Sequence, residues 1–301
     1  MSEAAPPRWR ELLTLGRAFM LLPGLLLYAL GWEVALALGQ VWDPLRFLFG
    51  YAAFLLPHLS VSYSDDYFDM KGDRLGNPAG ISGGSGVLVR SPQLAPLALL
   101  LAKALLAGGM LLAVLFVIAF PSSWIMLPVF IFGGLLGWYY SAPPLRLTGR
   151  GLSEVATVVG VGVIMPMAGY LCSGAVLVPG MVLLLLPLMC FALCFILSVE
   201  MPDAEADQAS GKNSFISQHG LEAGSQVAAL AALLGTISLL LLGQIGSFLP
   251  IAMTRLGLLS LIPALIFVIL ALRHPRAASR AKAGAAALVL LLALAMAALL
   301  L

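Results

Sequence analysis

Four carboxylates fall within nine residues in the stretch Asp65-Asp66-Tyr67-Phe68-Asp69-Met70-Lys71-Gly72-Asp73, at the end of an apolar run. A second cluster stands far downstream, in Glu200-Met201-Pro202-Asp203-Ala204-Glu205-Ala206-Asp207, followed by Gly211-Lys212. Together they hold eight of the fourteen acidic residues in the chain. Read as helix, the first stretch puts Asp66, Asp69 and Asp73 at i, i+3 and i+7 on one face, with Asp65 and Asp69 at i, i+4. Ser62 and His58 extend that face back into the apolar run. In the second stretch Asp203 and Asp207 are i, i+4, Glu200 lies one turn earlier, and Glu205 points elsewhere. Carboxylates packed this closely repel one another unless a cation sits between them. A few hard oxygen ligands suit Mg²⁺, which keeps waters and shares its shell with substrate phosphates. The two stretches therefore read as two halves of one metal–diphosphate site. A solvated acidic loop accounts for one such cluster, and poorly for two matched ones.

An anion at that site needs positive partners. Lys212 follows the second cluster, Lys71 and Arg74 flank the first, and Arg90 lies further on. Arg146 ends the segment Tyr139-Tyr140-Ser141-Ala142-Pro143-Pro144-Leu145-Arg146. Each could equally be a charge that anchors a helix end. Lys103 lies well inside an apolar run, where a bare charge is expensive, and is expected to face a polar cavity rather than snorkel. The stretch Gly80-Ile81-Ser82-Gly83-Gly84-Ser85-Gly86 could bring backbone amides to a phosphate or serve as a flexible lid. It lacks the spacing of a P-loop. His58 reads by default as a satisfied core histidine; His219 and His274 read as loop residues.

The rest of the chain must hold these groups in place. Of 301 residues, 61% are hydrophobic and only 10% charged, with a mean hydropathy of +1.03. Soluble domains carry about 25% charged residues, so the composition describes a polytopic membrane protein. A net charge of +2 makes no case for nucleic acid. Cys172, Cys190 and Cys194 lie in apolar runs without metal spacing, and their odd number argues against a disulfide framework. Nine apolar runs are long enough to span a bilayer, near 14–37, 45–64, 93–119, 123–140, 152–173, 177–198, 222–243, 247–271 and 281–301. No small-residue cleavage site follows the first run, which is expected to be a retained helix. The chain reads as one domain over 1–301, all-α, with nine helices around a central cavity. Thirteen Lys and Arg fall on the side of the N-terminus and of the loops after helices two, four, six and eight, against Arg46 and Arg255 on the other. The positive-inside rule makes the first side cytoplasmic, and both acidic clusters lie on it. Each cluster follows the second helix of a four-helix set, a weak internal repeat.

Asp65-Asp66-Tyr67-Phe68-Asp69 with Asp73 resembles the first aspartate-rich motif of the UbiA superfamily of intramembrane prenyltransferases. Asp203-Ala204-Glu205-Ala206-Asp207 with Gly211-Lys212 resembles the second. Tyr140-Ser141-Ala142-Pro143-Pro144-Leu145-Arg146, followed by Gly151, is similar to that family's tyrosine-containing loop, in the style of the branch that prenylates 1,4-dihydroxy-2-naphthoate on the menaquinone pathway. Arg17 also has a counterpart, and Asp65 stands where the family usually has asparagine. The resemblance implies nine helices and Mg²⁺-dependent transfer from an isoprenyl diphosphate to an acceptor, lipophilic or aromatic. It implies Asp66, Asp69, Asp203 and Asp207 as catalytic metal ligands, with Asp65 and Asp73 in support. It implies Lys212, Arg146 and Tyr140 at the diphosphate, with Arg74, Lys103 and Arg17 as further candidates. Membrane lipid is the other expected partner, and the expected location a bacterial or archaeal cell membrane, with the N-terminus and site cytoplasmic. A terpene cyclase sharing the metal motifs is the alternative. A cation transporter is a more distant one, because its acids belong near the midplane.

Overall fold

A computed structural model describes residues 8–75, 84–245, 248–273 and 276–300. Gly80 to Gly83 and His274 lie outside them. Helix is the only regular structure among the described residues, as expected where lipid offers the backbone no hydrogen-bond partner. The long elements are α1 (Ala18–Ala37), α2 (Pro44–Phe68), α3 (Ala95–Ala119), α4 (Met126–Ser141), α5 (Ser153–Cys172), α6 (Pro179–Glu200), α7 (Phe215–Gln244), α8 (Pro250–Arg273) and α9 (Ala277–Leu300). Eight are long and apolar enough to cross a membrane, and α4, at 16 residues, is a shorter apolar helix. They correspond in order to the nine runs of the sequence.

The departures fall where the chemistry-bearing residues are. The first run divides into a short helix, Arg8–Leu15, and α1, with Arg17 between them in a left-handed backbone conformation (φ 44°). Such a φ is costly for a side chain this large and survives only where the surroundings fix it. The helical continuation expected through Asp73 is interrupted. α2 ends at Phe68, Asp69 leaves helical geometry (φ −102°, ψ 11°), and Met70–Asp73 forms a separate turn of helix. Asp203 does the same (φ −103°, ψ 5°) between the turn Met201–Asp203 and the helix Ala204–Ser210. The internal repeat is thus structural: α2 packs along α3 as α6 packs along α7, and the two short helices touch.

The first helices of the two sets, α1 and α5, cross closely. A Cβ on Gly31 would overlap the carbonyl of Pro166, and one on Gly169 the carbonyl of Tyr28. Gly169→Ala is expected to cost about 1–3 kcal/mol, because packed backbones cannot part locally. A fall in the midpoint of thermal unfolding checks this, and an unchanged midpoint would contradict it. At the bundle end opposite the carboxylates, Arg46 acts as a latch: its Nε donates to the Cys172 carbonyl (2.6 Å) and its Nη2 to Ser122 (2.8 Å) and Ser123 (2.6 Å).

Candidate active site

The break at Asp69 and the break at Asp203 turn both carboxylate clusters inward, toward each other. Asp66, Asp69, Asp73 and Asp203 are buried and Asp65 and Asp207 half-buried, while Glu205 is exposed. Asp66 accepts from the Arg17 guanidinium and from both the backbone N–H (3.1 Å) and the hydroxyl of Ser85. The same guanidinium lies 3.5 Å from Asp65, which also accepts from the Ser141 hydroxyl. Asp73 accepts from the Gly84 N–H at 2.9 Å. A Cβ at Gly84 would overlap the Asp73 carboxylate, so only glycine allows this approach. The end of the glycine-rich stretch therefore docks on the first cluster.

Lys212 joins the halves. Gly211, in left-handed conformation (φ 78°), ends the short helix, and the Lys212 ammonium reaches Asp69 of the first cluster and Asp207 of the second (3.4 Å). Burial works against the Lys212 charge, but Asp65, Asp69 and Asp207 outweigh it and hold the pKa above its ordinary value. Arg17 is likewise raised: burial opposes its charge, and Asp66 and Asp65 more than offset this.

These groups wall a polar cavity lined by Arg17, Asp65, Tyr140, Glu200, Asp203, Asp207 and Lys212 among others. Two apolar cavities adjoin it. One lies chiefly between α1, α5, α6 and α9; the other lies between α2, α4 and α5. His58 lines all three.

Among the expected diphosphate partners, Lys212, Arg17 and Tyr140 face the polar cavity. Arg146, Arg74 and Lys103 are exposed and do not line it. Lys103 sits on the outer side of α3, two turns from its start, where its stem can carry the charge to the interface. Ser85 and Ser141 lie in segments singled out for other residues, not for their hydroxyls, and Glu154 lies in none of them. Glu154 accepts from the backbone N–H of Phe215 and from Ser153 (3.0 Å), tying α5 to the start of α7. An acidic residue opening an apolar run is the signal that could have found it.

Among the described residues no three acidic, histidine or cysteine side chains converge as a ready-made metal cage. Arg17 and Lys212 lie between the carboxylates instead. The donor set still fits a hard divalent ion that arrives with an anionic ligand, since such an ion needs few protein oxygens. Asp203 supports the fit: its Oδ2 is buried without a hydrogen-bond partner. Burial raises Asp69 to about 6 despite Lys212, and burial with Asp66 raises Asp73 to about 7, both from 3.8. A carboxyl raised on folding holds extra protons in the folded state, so metal-free stability falls as pH rises from about 4 to about 7. A divalent ion requires the ionised form and binds better over the same rise. Thermal unfolding at pH 5.5 and pH 8 is expected to show Mg²⁺ stabilising the protein more at pH 8. Equal stabilisation at both would contradict the burial argument.

The sequence model of the UbiA prenyltransferase family matches residues 24–287. No curated protein matches the chain. Solved structures do. A UbiA homologue from Archaeoglobus fulgidus bound to DMAPP and Mg²⁺ is similar at a TM-score of 0.71 and 16% identity, covering 96% of this chain and 99% of that one. The same homologue bound to GPP and Mg²⁺ gives 0.70 and 15%, covering 97% and 100%. A digeranylgeranylglyceryl phosphate synthase gives 0.66 and 17%, covering 97% and 96%.

Proposed function

The chain belongs to the UbiA prenyltransferase family, and on that premise we propose that it transfers an isoprenyl group from an allylic diphosphate to a lipophilic acceptor within the membrane. The observation that carries this reading is the meeting of two buried carboxylate clusters, tied by Lys212, at the polar mouth of two apolar cavities. The charged lining of the mouth suits a diphosphate, and the apolar lining of a gallery suits an isoprenoid chain. The similar A. fulgidus protein holding a prenyl diphosphate with Mg²⁺ supports the same assignment.

In this reading Asp66, Asp69, Asp203 and Asp207 hold Mg²⁺, with Asp65 and Asp73 in support. When bound, the ion neutralises charge that develops on the leaving diphosphate as the allylic C–O bond ionises. Lys212 and Arg17 add fixed positive charge at the same anion, and Tyr140 bounds it from α4. The exposed Arg74, Arg146 and Lys103 are left out of the assignment. The apolar walls keep water from quenching the carbocation. The acceptor we take to be aromatic, on the resemblance of Tyr140 to Arg146 to the dihydroxynaphthoate branch. The carboxylate end is assigned to the cytoplasm by the distribution of Lys and Arg.

The test is turnover by the purified chain in nanodiscs. Geranyl, farnesyl and geranylgeranyl diphosphates would be supplied with Mg²⁺, with and without aromatic acceptors, and products read by mass spectrometry. A prenylated aromatic is the expected product. A terpene hydrocarbon or alcohol formed without acceptor would make the enzyme a cyclase. No Mg²⁺-dependent loss of any donor from folded protein would overturn the reading.

A further inference from the structure

His58 stands apart from the metal and diphosphate groups, on the same face of α2 as Ser62 and Asp65, and all three line the polar cavity. At 1.5 Å per residue it lies about 10 Å deeper than Asp65. Its ring packs on Phe54, with centroids 5.6 Å apart, and against Gly24 of α1, where a Cβ would come within 2.7 Å of Nδ1. That Nδ1 is buried and has no hydrogen-bond partner. A buried imidazole nitrogen left unpaired in a protein is costly. A satisfied core histidine would have a carbonyl or hydroxyl within hydrogen-bond distance of that nitrogen, and Nδ1 of His58 has none. It lies instead where the polar cavity forks into the two apolar ones. A donor chain in one gallery and an acceptor entering by the other would meet beside this ring.

We infer that His58 is the group that takes the proton from the acceptor when it captures the allylic carbocation. The inference rests on the transferase reading. The donor C1–O bond breaks with its electron pair leaving on the diphosphate. An electron pair of the acceptor then forms the new bond to C1. The hydrogen on the attacking atom departs as a proton to the uncharged imidazole, and aromaticity returns to the acceptor. The cation-forming step needs only the metal and diphosphate groups; the proton-removing step needs a base beside the acceptor. His58 is the titratable side chain common to all three cavities; Asp66, Asp69 and Asp207 are engaged with Arg17 and Lys212, while Glu200 and Asp203, each with one unpartnered oxygen, line the polar cavity but neither apolar one.

The experiment separates the two steps. The full chain in nanodiscs is given Mg²⁺, farnesyl diphosphate, and a hydroquinone or hydroxybenzoate acceptor bearing hydrogen on the attacking carbon. Diphosphate release and prenylated product are measured independently. In His58→Gln and His58→Ala, product formed per diphosphate released is expected to fall about 100-fold, the scale of a lost general base, while farnesol accumulates. Added imidazole is expected to restore part of the coupling in His58→Ala alone, a rescue that a merely structural role would not show. His58→Gln keeps the volume of the ring, and its unfolding midpoint guards against a folding defect. Wild-type coupling in both variants would overturn the inference while leaving the transferase intact. Absence of Mg²⁺-dependent diphosphate release in wild type would overturn both.

Discussion

Asp203→Asn is expected to lower Mg²⁺-dependent turnover at least about 100-fold, the scale of removing one group that stabilises developing charge, and to leave the protein as stable as before. The two halves of this result come from the same observation. Asp203 is buried, and its Oδ2 has no hydrogen-bond partner, so the protein loses no bond when that oxygen becomes an amide. A buried polar oxygen without a partner is a cost to the fold, and an amide in its place breaks no hydrogen bond. An interior carboxylate kept at such a cost is explained by a ligand that the folded chain alone does not supply. Turnover and the thermal midpoint, measured on one preparation, decide it. Loss of activity together with loss of folding would show that Asp203 is structural, and full activity would remove it from the metal site.

Lys212→Met is expected to be the most destabilising single change at the site. The ammonium is the bridge from Asp69 to Asp207, and its removal leaves a buried and a half-buried carboxylate facing one another. Breaking a buried pair by deleting one partner costs about 3–5 kcal/mol. The loss is expected to be greater at pH 8 than at pH 5.5, because Asp69, already raised to about 6 by burial, rises further without its cation and escapes by protonation at low pH. Mg²⁺ at millimolar concentration is expected to restore more stability to this variant than it gives to wild type. Thermal unfolding with and without Mg²⁺ reads all three effects. A midpoint equal to wild type at pH 8 in the absence of metal would show that Lys212 does not hold the two halves together.

The two acidic clusters were legible in the sequence because the rest of the chain is so apolar that eight carboxylates in two short stretches stand out. The helix order was legible for the same reason: lipid forces each long apolar run into helix. What sequence periodicity missed is the break at each cluster. Asp66, Asp69 and Asp73 fit a continuous helical face on paper, yet Asp69 leaves the helix, and Asp203 matches it in the other half. The two short helices that follow those breaks meet one another, a long-range contact that local spacing does not encode. Lys103 was misjudged from the cost of a bare charge in lipid; its position two turns from the start of α3 lets it lie exposed at the helix exterior. The segments of Ser85 and Ser141 stood out, but not the part their hydroxyls play, because a hydroxyl acquires a role only through the carboxylate that the fold brings to it. His58 was visible as an imidazole on the acidic face, but its place at the fork of three cavities is a property of the packed bundle.

The central claim is that two carboxylate clusters, from two halves of the chain, bind one metal–diphosphate together. Titration calorimetry with farnesyl thiodiphosphate, a donor analogue that ionises slowly, tests it most directly. The protein would be wild type, Asp66→Asn and Asp203→Asn in nanodiscs, each with and without Mg²⁺. The account predicts binding to wild type that requires Mg²⁺ and is lost when either cluster is altered. Binding of equal strength without Mg²⁺, or binding untouched by a change in one cluster, would contradict it.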